Sequence, residues 1–290
     1  MDKARKIEAL GYDTLVVPDH LADFLAPVPA LISAADATSH LRIGTNVFNN
    51  DYRHPVLLAR EAATIDLLTD GRFQPGLGAG NVPSEYDQAG LKFDAGGTRV
   101  ARLAEAVAII KGLLKGETVT FTGKHYQVTG HTINPIPLQQ PHPPLLIGGN
   151  GPRLLALAAR EADIVGLSGI TFRQNGPDLS AWKGSGVDGR IRLVRAAAGE
   201  DRYSRLEINA LVQRVVVTDD RRQTAEDLAM RWTQLNADEI LQCPFVLVGT
   251  VEQLIEELIA NRDRWDISSY AIFESDIESF APVVARLAGR

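Results

Sequence analysis

The sequence is poor in the residues that build disulfide-linked proteins and metal centres. It contains one cysteine, Cys243, among 290 residues. A single thiol can form no intramolecular disulfide and can supply no zinc cluster. The histidines also lack the His-x-x-x-His and His-Glu-x-x-His spacings of catalytic metal sites. We therefore expect no metal, and we interpret Cys243, which precedes Pro244 in an apolar stretch, as a core thiol.

Long apolar runs and an excess of positive charge are absent as well. No stretch approaches the roughly 18 uninterrupted apolar residues that a bilayer span requires, and no signal-peptide core follows the first residues. The 30 Lys and Arg residues are outnumbered by 36 Asp and Glu residues, which gives a net charge of −6. We therefore expect a soluble, cytoplasmic protein that has neither a membrane nor a nucleic acid as its partner.

The residues that are present predict an α/β fold. Apolar residues make up 45% of the chain, which is enough for a large core. Short apolar runs alternate with longer helical stretches, and this pattern is typical of βα units and a parallel sheet or TIM barrel. The seven predicted strands are Thr14–Val17, Arg42–Phe48, Phe73–Leu77, Pro144–Ile147, Asp163–Leu167, Leu206–Val217 and Ser269–Phe273.

The chain lacks a Ser- or Gly-rich linker, so we predict one domain over residues 1–290. Apolar residues at helical spacing predict helices around 100–114 and 154–158. Two insertion segments, 116–143 and 169–186, interrupt the βα pattern, and the first contains a predicted hairpin at 119–128.

The chain opens on a predicted helix, Asp2–Leu10, although a parallel barrel begins with a strand. Exposed strand edges are an aggregation hazard. We therefore expect a first strand upstream of Met1 rather than an open barrel.

Three titratable residues follow predicted strands, at the barrel end where active sites lie. His20 can donate or accept a proton near neutral pH, although a lone histidine there is more often structural. Asp19 either orients the His20 ring or caps the next segment. Glu85 is a second proton-transfer candidate, or else a solvated loop carboxylate.

Glycines cluster at two strand ends. Gly76, Gly78 and Gly80 have the spacing GxGxG, and Asn81 stands where the third glycine of a dinucleotide fingerprint would fall, so that fingerprint is excluded. Segment 148–151 could bring backbone N–H groups to an anion at a helix N-terminus, or could only form a tight turn. Ser168 lies in Gly-Leu-Ser-Gly, which lacks the spacing of a nucleophilic serine elbow.

At these junctions the chain resembles the bacterial luciferase-like superfamily, and within it the oxidoreductases that use the deazaflavin coenzyme F420. The resemblance implies a TIM barrel with an inserted segment, whose first strand lies upstream of the opening helix. It rests on these segments, in family order: Gly11–Asp13, Pro18–His20, Tyr52–Pro55, Ala62–Asp66, Asp70–Arg72, Gly76–Gly80, Pro143–Gly149 and Leu247–Thr250.

The resemblance also implies roles for individual residues. His20 would lie beside the reactive edge of the cofactor. Asn46–Val47 matches a non-prolyl cis peptide bond that presses on the cofactor ring in many members. The remaining cofactor-binding residues, along the ring and at the phosphate end, would be Gly78, Ala79, Gly80, Gly148, Gly149, Asn150, Gly151 and Ser168.

Two positions differ from the family members that dehydrogenate sugar phosphates. Those enzymes have a glutamate where this chain has Asn81, and Asn81 cannot exchange a proton. They have a tryptophan where this chain has Phe24, which could still form an apolar substrate wall. The sugar-phosphate class is therefore doubtful, and we expect Phe24 and Asn81 to contact a different small molecule.

Three functions remain open from the sequence. The first is hydride transfer between F420 and a small organic substrate by a homodimeric enzyme. The second is an FMN-dependent monooxygenase that works with a reductase. The third is a protein that binds a flavin or deazaflavin without catalysis, because fold alone determines function poorly.

Overall fold

The computed structural model describes residues 1–173 and 176–289. Residues 174 and 175 of the second insertion segment, and residue 290 of the predicted domain, lie outside the described residues. The chain divides into two compact units, formed by residues 1–5, 13–148 and 161–163 and by residues 6–12, 149–160 and 164–290. No helix among the described residues is long and apolar enough to cross a membrane.

The first unit is built from strands that alternate with helices. Its elements, together with the opening helix α1, are α1 (Asp2–Ala9), β1 (Thr14–Val17), α2 (Pro27–Asp36), β2 (Arg42–Thr45), β3 (Phe48–Asn49), a 3₁₀ turn (Asn50–Tyr52), α3 (Pro55–Leu68), β4 (Phe73–Gln74), β5 (Gly76–Gly78), α4 (Pro83–Ala89), α5 (Gly96–Leu114), β6 (Val119–Thr122), β7 (Gln127–His131) and β8 (Leu146–Gly149).

Parallel pairing organises the strands of this unit. β1 pairs with β2, and β2 pairs with β4. β3 pairs with β5, and β5 pairs with β8. Helices between consecutive strands cover the sheet, as parallel sheets require. The largest side chains buried in this unit are Tyr86, Phe48, Phe73, Leu31, Leu41, Ile43, Ile65, Leu77 and Leu103.

The predicted hairpin is present as the antiparallel pair of β6 and β7. Glu105 on α5 holds its turn, because the Glu105 carboxylate accepts backbone N–H groups of Lys124 at 2.9 Å, His125 at 2.9 Å and Tyr126 at 3.1 Å. These bonds keep the pKa of Glu105 below its ordinary value, although burial opposes them. A side chain from the preceding helix therefore fixes the insertion to its own unit.

The second unit contains the remaining elements. They are α6 (Pro152–Glu161), β9 (Ile164–Leu167), β10 (Thr171–Arg173), β11 (Gly176–Asp178), a 3₁₀ turn (Ser180–Trp182), α7 (Gly184–Ala198), α8 (Glu200–Tyr203), β12 (Glu207–Leu211), β13 (Arg214–Val217), α9 (Arg221–Arg231), α10 (Ala237–Ile240), β14 (Val246–Gly249), α11 (Val251–Trp265), β15 (Ile267–Ala271), a 3₁₀ turn (Glu274–Asp276) and α12 (Ile277–Leu287).

β12 is central in this unit, since it pairs in parallel with β9 and with β15. β13 and β14 form a separate parallel pair, and β10 and β11 pair antiparallel. One apolar cluster packs around β13, β14, α11 and α12, and its buried members are Val212, Val215, Leu247, Leu254, Leu258, Phe280 and Val283.

Several strand predictions need correction. Phe73–Leu77 was expected as one strand, but β4 ends at Gln74 and β5 begins at Gly76, and these two strands pair with different neighbours. Arg42–Phe48 was expected as one strand, but β2 ends at Thr45 and β3 begins at Phe48, because the two segments pair with different neighbours. Leu206–Val217 is likewise two strands, β12 and β13, with different partners. The buried strand β14 was not predicted.

Candidate functional site

Two residues that follow β1 have different surroundings. Asp19 is 7% exposed. Its carboxylate accepts a hydrogen bond from the backbone N–H of Asn49 at 3.0 Å and forms an ion pair with Arg53. Arg53 also lies over the Phe48 ring, 4.7 Å from its centroid. Of the two roles open for Asp19 in the sequence, the structure favours the capping role, since its bonds fix the segment after β2 against the end of β1.

His20 is bonded to Glu85 rather than to Asp19. The Nδ1 atom of His20 lies 2.7 Å from Oε1 of Glu85. The imidazole remains 33% exposed, while the Glu85 side chain is 11% exposed. A carboxylate acceptor on Nδ1 keeps the proton of the neutral ring on that nitrogen and leaves Nε2 as the acceptor. The structure therefore brings together two of the three predicted catalytic residues.

Glu85 is presented by the short helix α4. Pro83 begins this helix, where its fixed φ and missing N–H are tolerated, and Gly90 ends it with φ +68°. The second carboxylate oxygen of Glu85 accepts the hydroxyl of Tyr52 at 3.1 Å and the backbone N–H of Leu21 at 3.2 Å. The alternative of a solvated loop carboxylate is wrong, because Glu85 is buried.

The end of β1 lies beside the junction of β2 and β3. The N–H of Asn46 donates to the carbonyl of Val17 at 3.0 Å, and Asn49 donates to Asp19 as described above. The peptide bond between Asn46 and Val47 is cis, as the resemblance predicted. Both of its residues are partly exposed.

Two glycines make room for the Val47 side chain. A Cβ added to Gly78 would overlap Cγ2 of Val47, and one added to Gly148 would lie 3.1 Å from Cγ1 of Val47. The resemblance implies that both glycines line the cofactor. On the sides where their Cβ atoms would point, the neighbour is the Val47 side chain.

Gly80 has a different neighbour. It has φ +75°, and a Cβ there would overlap the Tyr86 hydroxyl. That hydroxyl contacts Oδ1 of Asn49 at 3.0 Å and Oδ2 of Asp51 at 3.1 Å. The neighbouring Ala79 is buried, and its carbonyl accepts Nε of Arg99 at 3.0 Å. Gly80 and Ala79 therefore hold the loop that leads to α4.

The two predicted substrate residues lie at the surface of this region. Phe24 is 56% exposed, and its ring centroid lies 5.9 Å from that of His20. Asn81 is exposed and precedes α4. Leu21 and Leu25, 48% and 79% exposed, lie in the same loop as Phe24. The loop after His20 therefore presents an apolar surface beside an imidazole.

Sequence reasoning missed Tyr52 and Arg53 as site residues. Both follow β3, and they contact Glu85 and Asp19 respectively. The available signal was the Tyr-Arg-His-Pro segment, which was used only as part of the resemblance. His54, the next residue, caps α3, since its Nδ1 accepts the N–H of Val56 at 3.3 Å.

The remaining predicted cofactor residues belong to the second unit. The carboxamide of Asn150 is bonded at both ends, since Nδ2 donates to the carbonyl of Ile170 at 2.7 Å and Oδ1 accepts the N–H of Gly169 at 3.1 Å. The Ser168 hydroxyl lies 3.5 Å from the same Ile170 carbonyl. Asn150 therefore links the segment before α6 to the segment after β9.

The glycines before α6 differ from one another. A Cβ on Gly149 would overlap Cδ2 of Leu154, whereas a Cβ on Gly151 would meet nothing within 4 Å. The Gly151 carbonyl accepts the N–H of Leu155 at 2.9 Å, so Gly151 lies at the start of the helix. A helix N-terminus with an open glycine is chemically suited to an anion.

The residues of the first unit fit the reactive end of a planar cofactor. His20 offers a ring nitrogen that Glu85 does not engage, and the exposed Phe24 offers an apolar face. The partly exposed Asn46–Val47 peptide borders the same strand end. Among residues 1–173 and 176–289, no group of three or more His, Cys, Asp or Glu side chains could hold a metal ion.

Comparison with known proteins identifies the family. Residues 1–245 match the model of the luciferase-like monooxygenase family. An F420-dependent glucose-6-phosphate dehydrogenase from Microbacterium testaceum (strain StLB037) is 35% identical over 164 residues, which cover 54% of this chain and 48% of the relative. The chain thus spans about half the length of the curated relatives it matches.

Two solved structures share the fold. An F420-dependent secondary alcohol dehydrogenase in complex with an F420-acetone adduct has TM-score 0.75 and 19% identity, and the match covers 99% of this chain and 93% of the other. A monooxygenase from Streptomyces bottropensis has TM-score 0.72 and 20% identity, with 99% and 90% covered. These likenesses confirm the predicted α/β TIM-barrel class. The family-model match, which covers most of the chain, shows that this protein belongs to the luciferase-like monooxygenase family.

Proposed function

We propose that this protein is an oxidoreductase that transfers a hydride between coenzyme F420 and a small organic substrate. The observation that carries this proposal is the His20–Glu85 pair, at 2.7 Å, in the loop after β1. The last carbonyl of β1, that of Val17, accepts the N–H of Asn46 at 3.0 Å. The matched dehydrogenase and the secondary alcohol dehydrogenase, whose names give F420 as their cofactor, support the choice of cofactor.

When bound, the deazaflavin supplies a ring carbon that accepts or releases a hydride. Oxidation of an alcohol to a carbonyl releases one hydride and one proton, so a proton acceptor is needed. His20 takes that proton on Nε2, because its Nδ1 is bonded to Glu85. In the reverse direction the same nitrogen returns the proton to the carbonyl oxygen.

The substrate lies against the loop that follows His20. Phe24 offers an apolar wall beside the imidazole, and Asn81 at the start of α4 positions a polar substrate group through its carboxamide. Asn81 has no titratable group, so it takes no part in the proton transfer.

Two groups of residues hold the cofactor in this proposal. The proposed ring contacts are Asn46, Val47, Gly78, Ala79 and Gly80. The proposed phosphate contacts are Gly148, Gly149, Asn150, Gly151 and Ser168. The open Gly151 at the N-terminus of α6 supports the second assignment.

A titration tests the cofactor. Purified protein is titrated with oxidised F420, with reduced F420 and with FMN, and binding is followed by fluorescence. We expect F420 to bind at least about tenfold more tightly than FMN, which corresponds to ~1.4 kcal/mol. Equal affinities, or FMN that co-purifies in stoichiometric amount, would contradict the proposal.

The phosphate end has its own test. A carboxylate introduced by Gly151→Asp repels an anion at the N-terminus of α6. We expect this variant to weaken F420 binding while it leaves the binding of the phosphate-free deazaflavin chromophore unchanged. A loss of both affinities would indicate damage to the unit rather than a phosphate site.

An FMN-dependent monooxygenase is the second candidate, favoured by the structural likeness to the Streptomyces monooxygenase. It requires tight FMN binding and oxygen consumption in the presence of a flavin reductase. We also propose a cytoplasmic homodimer, and light scattering on the purified protein would measure the number of subunits.

A further inference from the structure

The Glu85 carboxylate receives three hydrogen-bond donors, and they divide unevenly between its oxygens. Oε1 faces Nδ1 of His20 at 2.7 Å. Oε2 accepts the Tyr52 hydroxyl at 3.1 Å and the N–H of Leu21 at 3.2 Å. Leu21 is the neighbour of His20 in the chain, so its bond belongs to the same loop. Tyr52 reaches Glu85 from a different element, the 3₁₀ turn after β3.

The Tyr52 hydroxyl keeps its proton under all ordinary conditions. Burial, with the Glu85 and Asp19 carboxylates adding to it and a contact with Asn49 opposing it, raises the pKa of Tyr52 to about 12. A protonated phenol beside a carboxylate can only donate to it. Tyr52 is therefore a permanent donor to Oε2 of Glu85.

The position of Tyr52 is set independently of His20. Asn49 accepts the N–H of Asp51 at 3.1 Å, which fixes the turn. The Asp51 carboxylate is in turn held by Nη1 of Arg102 at 2.7 Å, and the Tyr52 ring packs 5.4 Å from the Tyr86 ring. The donor is thus anchored to α4 and α5 rather than to the loop that carries His20.

A donor on one oxygen of a carboxylate withdraws charge from the other oxygen. A carboxylate with less charge attracts an imidazolium less strongly, so the ring releases its proton at a lower pH. We propose that Tyr52 is a positioning residue that acts through Glu85, and that it tunes the pH at which His20 gains and loses its proton. This inference deepens the proposed function and rests on it for its catalytic meaning.

A second carboxylate, that of Asp19, lies next to His20 in the chain. Asp19 is paired with Arg53, which also lies 3.8 Å from Glu61. Phe24, on the loop after β1, offers only an apolar ring. Glu85 is therefore the carboxylate through which a change at Tyr52 reaches the imidazole.

The test uses the full chain labelled with ¹⁵N in its histidine rings, without cofactor. NMR follows the titration midpoint and the tautomer of His20. In Tyr52→Phe, which removes only the hydroxyl, we expect the midpoint to rise by about 0.5 pH unit. In a Glu85→Gln background the same change at Tyr52 should have no further effect, because a double-mutant cycle isolates the coupling.

Matched variants exclude indirect effects. Tyr126→Phe removes another hydroxyl of the same unit, one that contacts Nδ2 of Asn50 at 3.3 Å, and it should leave the midpoint unchanged. If Tyr52→Phe does not fold, 3-fluorotyrosine at position 52 provides a stronger donor of nearly the same size. That replacement should move the His20 midpoint downward.

An unchanged or lowered midpoint in Tyr52→Phe, or a rise that persists in the Glu85→Gln background, would overturn the inference. The proposed function can fail separately, because the F420 titration and the NMR titration share no readout. Once a substrate is known, the limb of the kcat–pH profile that reports His20 should move with the midpoint, while the KM of the substrate stays within about twofold.

Discussion

Nδ1 of His20 and Oε1 of Glu85, 65 positions apart in the chain, lie 2.7 Å from each other. This distance joins the loop after β1 to α4, two segments that no local pattern connects. A carboxylate bonded to one imidazole nitrogen fixes the orientation and tautomer of the ring, so that the other nitrogen is presented in one direction.

The first prediction concerns His20 itself. Proton transfer by a positioned side chain contributes about 10²- to 10⁴-fold to a rate. We expect His20→Ala to lower kcat within that range, to flatten one limb of the pH profile, and to change cofactor affinity by less than about tenfold. A broad screen of enones, alcohols and aldehydes must first identify a substrate. If His20→Ala retained turnover while Glu85→Gln lost it, the proton role would pass to Glu85.

The second prediction distinguishes an effect of the Glu85 carboxylate from an effect on the helix α4. Glu85→Gln keeps the size of the side chain and removes its charge. We expect kcat to fall about 10- to 100-fold, the usual cost of losing a group that orients a reactive residue. Asp87 is an exposed residue of the same helix, and Asp87→Asn likewise replaces a carboxylate by a carboxamide. This control variant should leave kcat unchanged. Equal losses in both variants would point to the helix rather than to the carboxylate.

The third prediction is that Asp19 stabilises the folded protein. Its side chain is 5% exposed and paired with Arg53, so Asp19→Ala leaves a partly buried guanidinium without its main partner. We expect the free energy of unfolding to fall by ~3 kcal/mol, measured by urea denaturation. Asp2→Ala breaks an exposed pair with Arg5 and should change little. A pH limb lost in Asp19→Ala without destabilisation would instead give Asp19 a proton role.

The sequence predicted the positions of His20 and Glu85 but not their contact. Residues that follow parallel strands collect at one end of a sheet, so position in the chain was informative. Which side chains then touch depends on where α4 and the 3₁₀ turn pack, and that is why the role of Tyr52 was missed. The sequence also contained no sign of what the Gly78 position adjoins within the protein. Gly78 accommodates Val47, a neighbour that only the folded chain brings close.

The strand errors have a similar origin. Apolar β-branched residues mark buried strands, but they do not show where a strand changes partner. β12 and β13 were therefore predicted as one strand, although β12 pairs with β9 and β15 while β13 pairs with β14. β14 was not predicted, although it has the same length and the same complete burial as β9, which was.

The fourth prediction compares two glycines, to distinguish the cost of backbone strain at positive φ from the cost of steric overlap by an added Cβ atom. Gly80 and Gly90 both have positive φ, but only at Gly80 would a Cβ overlap a neighbour, the Tyr86 hydroxyl. We expect Gly90→Ala to lower the free energy of unfolding by roughly 1–2 kcal/mol, from backbone strain. Gly80→Ala should lower it by a further ~1–3 kcal/mol, from overpacking. Thermal melts of the two variants would measure the difference, and equal effects would show that Tyr86 moves away at no cost.

The last prediction concerns a buried carboxylate in the second unit. Glu257 on α11 is 10% exposed, and its Oε2 lies 2.5 Å from Nη2 of Arg221. Burial raises the pKa of Glu257 from 4.5 to about 8, although Arg221 opposes the rise. The folded protein therefore holds a proton on Glu257 that the unfolded chain has released between these two pH values. Stability must then fall as pH rises through this window, and it levels off above about 8.

Glu257→Gln removes this titration, so the variant should lose less stability than the wild type between pH 5 and pH 8. We expect the difference between their free energies of unfolding to change by ~3 kcal/mol across the window, in urea denaturation at several pH values. Glu252→Gln is the matched control, because Glu252 lies on the same helix but is exposed and paired with Arg286. Its pKa is lowered, first by a backbone hydrogen bond, so it titrates below the window. Parallel stability curves for the wild type and Glu257→Gln would mean that Glu257 stays ionised against Arg221, with their attraction offsetting the cost of burial.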